Sequence, residues 1–242
     1  MRRALLLAAL VLAGDPAPGR SDPTAPPVIV ELFTSEGCSS CPPAEALLAR
    51  LARDGLPGVR VLALSEHVDI WDGLGWADPF ASPAFTARQD RYARRLGLSS
   101  VYTPQAVVDG VDDVVGSDAG ALGAAIRAAA RRPRALLAVR PVAGGVTVEG
   151  AWTGGRATVR VALVEDGIRS KVLRGENAGR TLEHPGVVRW LAIAGEGHGR
   201  FEGTVPLPAL PETGALRLVA FAQEGGDGRI LAVGALDHVA GR

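Results

Sequence analysis

From Val28 onward the chain alternates apolar runs with stretches of helical spacing. Val28-Ile29-Val30-Glu31-Leu32-Phe33 is nearly all apolar, as in a strand buried on both faces of a parallel sheet. Ala44, Leu47, Leu48 and Leu51 follow at helical spacing behind Pro42 and Pro43. Prolines suit a first helical turn, whose N–H groups have no intrahelical partner. Val59 to Leu64 reads as a second strand. Ser82 and Pro83 form an N-cap and N1 pair, predicting a helix to about Leu96 that stops at Gly97. Ala106-Val107-Val108 is a short strand running into an Asp109-Gly110 turn, with a partner strand near Val114-Val115. Asp118 then caps an alanine-rich helix ending near Arg131. Strands alternating with helices in this order predict an α/β domain over residues 28–133.

Beyond Arg131-Arg132-Pro133-Arg134 the pattern changes. Ala157 to Leu163 alternates with period two, and short apolar runs at Val187–Ile193, Phe201–Leu207, Leu216–Ala222 and Ile230–Ala235 lie between Gly/Pro-rich turns. No stretch of helical spacing interrupts them. The expectation for residues 134–242 is an antiparallel, sandwich-like or barrel-like β domain.

Before Val28, a basic Met1-Arg2-Arg3 start leads into the apolar run Ala4–Ala13 and then a Gly/Asp/Pro-rich stretch. That reads as a signal peptide over residues 1–13 and a linker over 14–27, so the expected location is periplasmic or secreted. The run is too short to span a bilayer, which needs about 20 apolar residues, and no membrane span is expected in the mature chain. Among 242 residues, 26 basic and 26 acidic side chains leave no basic excess for a nucleic-acid surface. Two cysteines are too few for a disulfide-stapled miniprotein but suffice for chemistry.

Those two are Cys38 and Cys41, in Cys38-Ser39-Ser40-Cys41 between the first strand and the first helix. Cysteines at this spacing can close a small disulfide ring. At a helix N-terminus the unpaired N–H groups and the dipole favour a thiolate, the species that attacks a disulfide. Cys38 is then the nucleophile and Cys41 the shielded resolving thiol. A purely structural bridge and half a metal site remain open readings of the same pair. Tyr102-Thr103-Pro104-Gln105 precedes the third strand, where a proline can take a cis bond.

C-x-x-C before a helix and Thr-Pro before a strand together resemble the thioredoxin superfamily, in which a cis-proline loop faces the cysteines. Four segments, Glu31 to Pro43, His67 to Asp72, Val101 to Gln105 and Gly175 to Leu182, are more closely similar to a family of exported bacterial proteins known as domain-of-unknown-function family 1223. That resemblance implies a thioredoxin-like domain with an appended β domain, a Cys38–Cys41 pair and Pro104 opposite it. No cofactor and no metal are expected, and the likeness to thioredoxins makes Glu31 either a proton relay for Cys41 or a structurally paired carboxylate.

Thr103, Trp71 and Tyr102 are the candidate substrate contacts. Six of the 11 aromatics lie from Trp71 to Tyr102, where they can wall a groove beside Cys38 or fill a core. His67 and Asp69, just after the second strand, are candidate acid/base groups or a mutual pair. The polar loop Arg174–Arg180 reads as a hairpin connection or as a grip on the first domain. His184, His198 and His238 show no metal-ligand spacing. The chemistry then predicts a thiol–disulfide oxidoreductase acting on protein or peptide thiols and disulfides with an unidentified redox partner. Its rivals are a binding module with a structural Cys38–Cys41 bridge and a copper-handling protein using Cys38, Cys41 and His67. The redox expectation requires an exposed Cys38 sulfur beside a cis Pro104.

Overall fold

The computed structural model describes residues 26–209, 214–237 and 239. The expected signal peptide and most of the linker lie outside the described residues. The first part follows the apolar pattern closely, as β1 (Val28–Thr34), α1 (Pro42–Asp54), β2 (Val61–His67), α2 (Pro83–Leu96), β3 (Gln105–Val108), β4 (Asp112–Val115) and α3 (Ala119–Ala130). Local chemistry sets the ends. Pro42 and Pro43 open α1, and Ser82 accepts the Ala84 N–H at the start of α2. Asp118 accepts the Ala121 N–H at α3, and Gly97 closes α2 in the left-handed region.

Among the described residues, all elements after α3 are strands: β5 (Ala135–Leu136), β6 (Ala138–Val142), β7 (Gly145–Asp166), β8 (Ile168–Lys171), β9 (Thr181–His184), β10 (Val187–Pro206), β11 (Ala215–Glu224) and β12 (Ile230–Asp237). Strands dominate a mixed sheet, and the helices are few.

The sheet runs β4-β3-β1-β2-β10-β7-β11-β12-β5, while β8 and β9 form a separate hairpin. β1 and β2 are parallel, and β3 and β4 are antiparallel to their neighbours. The strands after residue 134 therefore do not stand apart from the α/β part. β10 joins β2 in parallel at Val187↔Ser65, where Ser65 N–H reaches Gly186 O at 2.7 Å. Only glycine fits at that seam, because Gly186 has φ +59° and an added Cβ would meet the Ala63 carbonyl oxygen. At the far edge β5 pairs with β12, and Leu137 alone separates β5 from β6, which pairs with β7. The far end of the sheet thus returns to β7, and the β-rich part, expected as an antiparallel domain of its own, is an extension of one mixed sheet with parallel joins at β10–β2 and β12–β5.

Alternating side chains of β1 sort the core into layers. Val28, Val30 and Leu32 pack with α1 and α3 through Leu48 and Ile126. Ile29 and Phe33 face the other way, toward Phe85 and Tyr92 of α2 and Phe221 of β11. Phe85 and Tyr92 are therefore core residues, not groove walls. A third cluster, including Leu137, Trp152, Leu163 and Leu218, fills the β closure. The loops after β1 and β2 leave the same end of the sheet, the end where parallel strands of α/β proteins place their sites.

Candidate functional site

Cys38 and Cys41 form a disulfide at the start of α1, with Cα atoms 5.5 Å apart. Two turn hydrogen bonds shape the approach, Cys38 N–H to Ser35 O at 3.1 Å and Cys41 N–H to Cys38 O at 3.2 Å. The Thr103–Pro104 peptide is cis. Its loop meets the cysteines directly, since Thr103 Oγ1 donates to Cys38 Sγ at 3.3 Å. Ser40 Oγ lies 3.3 Å from the same sulfur and also donates to the Thr103 carbonyl at 3.4 Å. Trp71 Nε1 donates to Thr103 Oγ1 at 2.9 Å. The structure therefore brings Cys38, Cys41, Thr103, Pro104 and Trp71 together.

One expectation is corrected. Cys38 is only 1% exposed and Cys41 is fully buried, so the nucleophile candidate is covered in this state. Side chains and a loop provide the cover. Asn177 sits buried over the motif and donates to the carbonyls of Glu36 at 2.8 Å and Cys38 at 3.0 Å. Ser39 N–H reaches Glu176 at 3.2 Å. The loop between β8 and β9 is thus both a hairpin connection and a grip on the cysteine turn, with Gly175 and Gly179 at φ +77° and +81°. Asn177→Ala would leave the buried Glu36 carbonyl without a partner and the Cys38 carbonyl with only the Cys41 N–H. It is expected to lower stability by about 1–3 kcal/mol and to speed reduction of the disulfide by a small thiol. Denaturant unfolding and timed reduction check both effects.

Glu31 does not reach the cysteines. It projects to the α2 face of the sheet, opposite α1, because it shares parity with Ile29 and Phe33. Its carboxylate accepts from Arg88 Nε at 2.5 Å and from the Tyr92 hydroxyl at 2.5 Å. Burial alone would raise its pKa, but the Arg88 charge and these hydrogen bonds overcome that and hold it below the ordinary value. Glu31 is an ion-paired carboxylate.

Tyr102 points its hydroxyl away, to Asp113 at 3.0 Å. Asp69 pairs with Thr86, whose hydroxyl donates to it at 2.5 Å. His67 takes Asp78 instead of Asp69, with Nδ1 2.7 Å from Asp78 Oδ2.

Behind the cysteine turn lies a polar cluster that sequence spacing does not reveal. His184 Nδ1 lies 3.1 Å from Glu45 Oε1, and its Nε2 lies 3.1 Å from Glu36 Oε1. Burial would lower the His184 pKa, but hydrogen bonds to both carboxylates and their charges prevail and raise it to about 9. His67, His184 and Glu45 each offer a ligand atom within 4.8 Å of the others. Neither cysteine joins that group among the described residues, so the Cys38–Cys41–His67 copper set is not assembled. Glu36, Glu45, Asp78 and Asn177 were missed in the sequence because their partners lie on other elements.

The DUF1223 profile, described as a protein family of unknown function, matches residues 29–223. The chain belongs to the DUF1223 family. A DUF1223 chain can be compared with two solved structures. Protein AGR_C_4864 from Agrobacterium tumefaciens is 30% identical, with a TM-score of 0.70, covering 89% of this chain and 95% of that one. HBP35 of Porphyromonas gingivalis is 15% identical, with a TM-score of 0.63, covering 92% of this chain and 78% of that one, a likeness of fold alone. No curated protein matches this DUF1223 member.

Proposed function

We propose that this DUF1223 protein is an exported thiol–disulfide oxidoreductase, with residues 28–133 as its thioredoxin-like domain and a β domain from residue 134 appended to the same sheet. The observation that carries this reading is the contact between Thr103, of the cis Thr103–Pro104 loop, and Cys38 Sγ at 3.3 Å. A C-x-x-C at the N-terminus of α1, facing a proline loop before β3, supports the same reading. The Thr103 hydroxyl donates to this sulfur and is placed to stabilise it as a thiolate. A disulfide that closes a loop of about four residues adds only about 2 kcal/mol by chain entropy, against nearly 5 for a 100-residue loop. Stability alone is a weak reason for this bridge.

In exchange, which requires the loop carrying Asn177 to uncover the sulfur, a substrate thiolate attacks Cys38 Sγ, forming a mixed disulfide and releasing Cys41 as a thiolate that then takes a proton. A second substrate thiolate attacks the substrate sulfur, and Cys38 leaves. The substrate dithiol is oxidised by two electrons and the protein disulfide is reduced; the reverse sequence reduces a substrate. Substrates are protein or peptide thiols and disulfides, and they dock where Trp71, Thr103 and the loop after β8 now lie over the cysteines.

Burial of both sulfurs favours a second reading, a binding module with a structural bridge. The reduction potential and trapping separate the two. Redox function predicts a potential above about −300 mV and mixed disulfides captured by Cys41→Ser. A potential below that value with no captured partner assigns the pair to structure.

A further inference from the structure

We propose that His67, His184 and Glu45 form a binding site for one zinc ion, pinning the end of β2, the β8–β9 hairpin and α1 to one another. The three side chains come from different elements, yet one ligand atom of each lies within 4.8 Å of the others. His67 and His184 have no exposed side-chain surface, and Glu45 has 3%.

An unpartnered atom points to a ligand. His67 Nδ1 is occupied by Asp78 at 2.7 Å, while Nε2 is buried with no hydrogen-bond partner. A buried polar atom left unpaired costs about 1–3 kcal/mol, so its persistence calls for an explanation. Donation from Nδ1–H to a carboxylate leaves a lone pair on Nε2, the arrangement metal-ligating histidines use. Asp78 is fixed in turn by the backbone N–H groups of Glu36 at 2.7 Å and Phe80 at 2.9 Å. His184 has a matching outer partner, with Nε2 3.1 Å from Glu36, which Trp76 Nε1 holds at 2.6 Å. His67 thus has one nitrogen braced by a carboxylate and the other unpartnered, while His184 has a carboxylate on each nitrogen, so zinc would take the place of the proton between His184 Nδ1 and Glu45.

The surroundings suit zinc. Two imidazoles and one carboxylate are a known donor set for this ion, with a fourth position left for water. Phe80 stands edge-on to both rings, with centroids 5.4 Å from His67 and 5.5 Å from His184, and gives the site an apolar wall. Zinc–nitrogen bonds near 2.0–2.1 Å require ligand atoms now within 4.8 Å of one another to draw in by roughly 1–1.5 Å. Bound there, zinc would hold the hairpin whose loop carries Asn177 onto the cysteine turn. The site stands without the redox reading, since neither sulfur takes part.

The test uses the full chain, disulfide intact, stripped with a chelator and titrated with zinc by calorimetry. One ion per chain and a raised thermal midpoint are expected. His184→Gln and His67→Gln should weaken binding by about 100-fold, and Glu45→Gln by at least about tenfold. Should a histidine variant fail to fold, cobalt added to the wild type decides. Visible bands of a tetrahedral nitrogen and oxygen site support the proposal. Failure of the wild type to take up zinc, or uptake that survives in a folded variant, overturns it, as does a sulfur-to-cobalt charge-transfer band. A reduction potential below about −300 mV would remove the exchange reading and leave this result untouched.

Discussion

Arg88→Met is expected to destabilise the protein by about 3–5 kcal/mol, a fall in melting temperature of roughly 6–20 °C for a chain of this size. The Arg88 guanidinium is 99% removed from solvent and holds Glu31 at 2.5 Å, the Tyr92 hydroxyl at 3.0 Å, Gln223 at 3.1 Å and Asp227 at 3.2 Å. Removing it strands the Glu31 carboxylate inside the sheet with only Tyr92 for a partner. An uncompensated buried charge costs far more than a lost surface pair, which is why this substitution outweighs any change at exposed pairs such as Arg53–Asp54. Glu66 is the contrast. It lies 3.4 Å from Arg88, but burial and the neighbouring Glu31 charge push its pKa well above the ordinary value. The folded state therefore keeps Glu66 neutral to higher pH than an ordinary carboxylate. Its contribution is complete below the ordinary carboxylate range and is lost as pH rises toward its own raised value. Glu66→Gln keeps the neutral shape, so it should cost less than about 1 kcal/mol at neutral pH and flatten that decline. Chemical denaturation of both variants across pH checks the pair. A loss below about 1 kcal/mol for Arg88→Met would mean that the ion cluster is not what holds α2 to the sheet.

Much of the framework could be read locally. The strand at Val28, the helix behind Pro42-Pro43, the Ser82-Pro83 cap, the Gly97 stop and the Asp118 cap all lie where apolar spacing and end-capping chemistry put them. These signals are carried by neighbours in the chain. The cysteine turn and the proline loop were likewise visible as motifs, and so was the choice for Glu31 between relay and ion pair. Resolving it needed the parity of β1 and the position of α2. The closure of the β-rich part into the same sheet was not legible, because it depends on a single join at Val187↔Ser65 made by a glycine. His184 looked inert by spacing, yet it lies between carboxylates from α1 and from the turn after β1. Asn177 looked like part of a glycine-framed turn, and its role comes from two carbonyls about 140 residues earlier. Long-range polar contacts leave no periodic trace. Burial of Cys38 is the sharpest case, since helix-end geometry predicts a polarised sulfur but says nothing of what another loop lays over it.

Cys38→Ser should abolish disulfide exchange, and Thr103→Val should slow it by roughly three- to tenfold. The second figure follows from one hydrogen atom. An indole N–H can only donate, so at Trp71 Nε1 the Thr103 hydroxyl must accept, which turns its own proton toward Cys38 Sγ. That bond strengthens when the disulfide is reduced and the sulfur becomes an anion. A hydrogen bond to a charged group contributes about 1.5–3 kcal/mol, equivalent to a 10- to 100-fold change in thiolate population. Part of this loss returns as intrinsic reactivity, because a less acidic thiol is a better nucleophile, with a Brønsted slope of about 0.4–0.5. Thr103→Ser keeps the hydroxyl and should restore the rate, while Trp71→Phe should fall between, since it leaves the hydroxyl in place but free to turn. The pH profile of Cys38 alkylation is the readout that a packing defect would not move. It should shift to higher pH in Thr103→Val and stay in place in Thr103→Ser. An unchanged profile and rate in Thr103→Val would mean that the hydroxyl serves only to pack the turn, and the structural bridge would become the better account of the two cysteines.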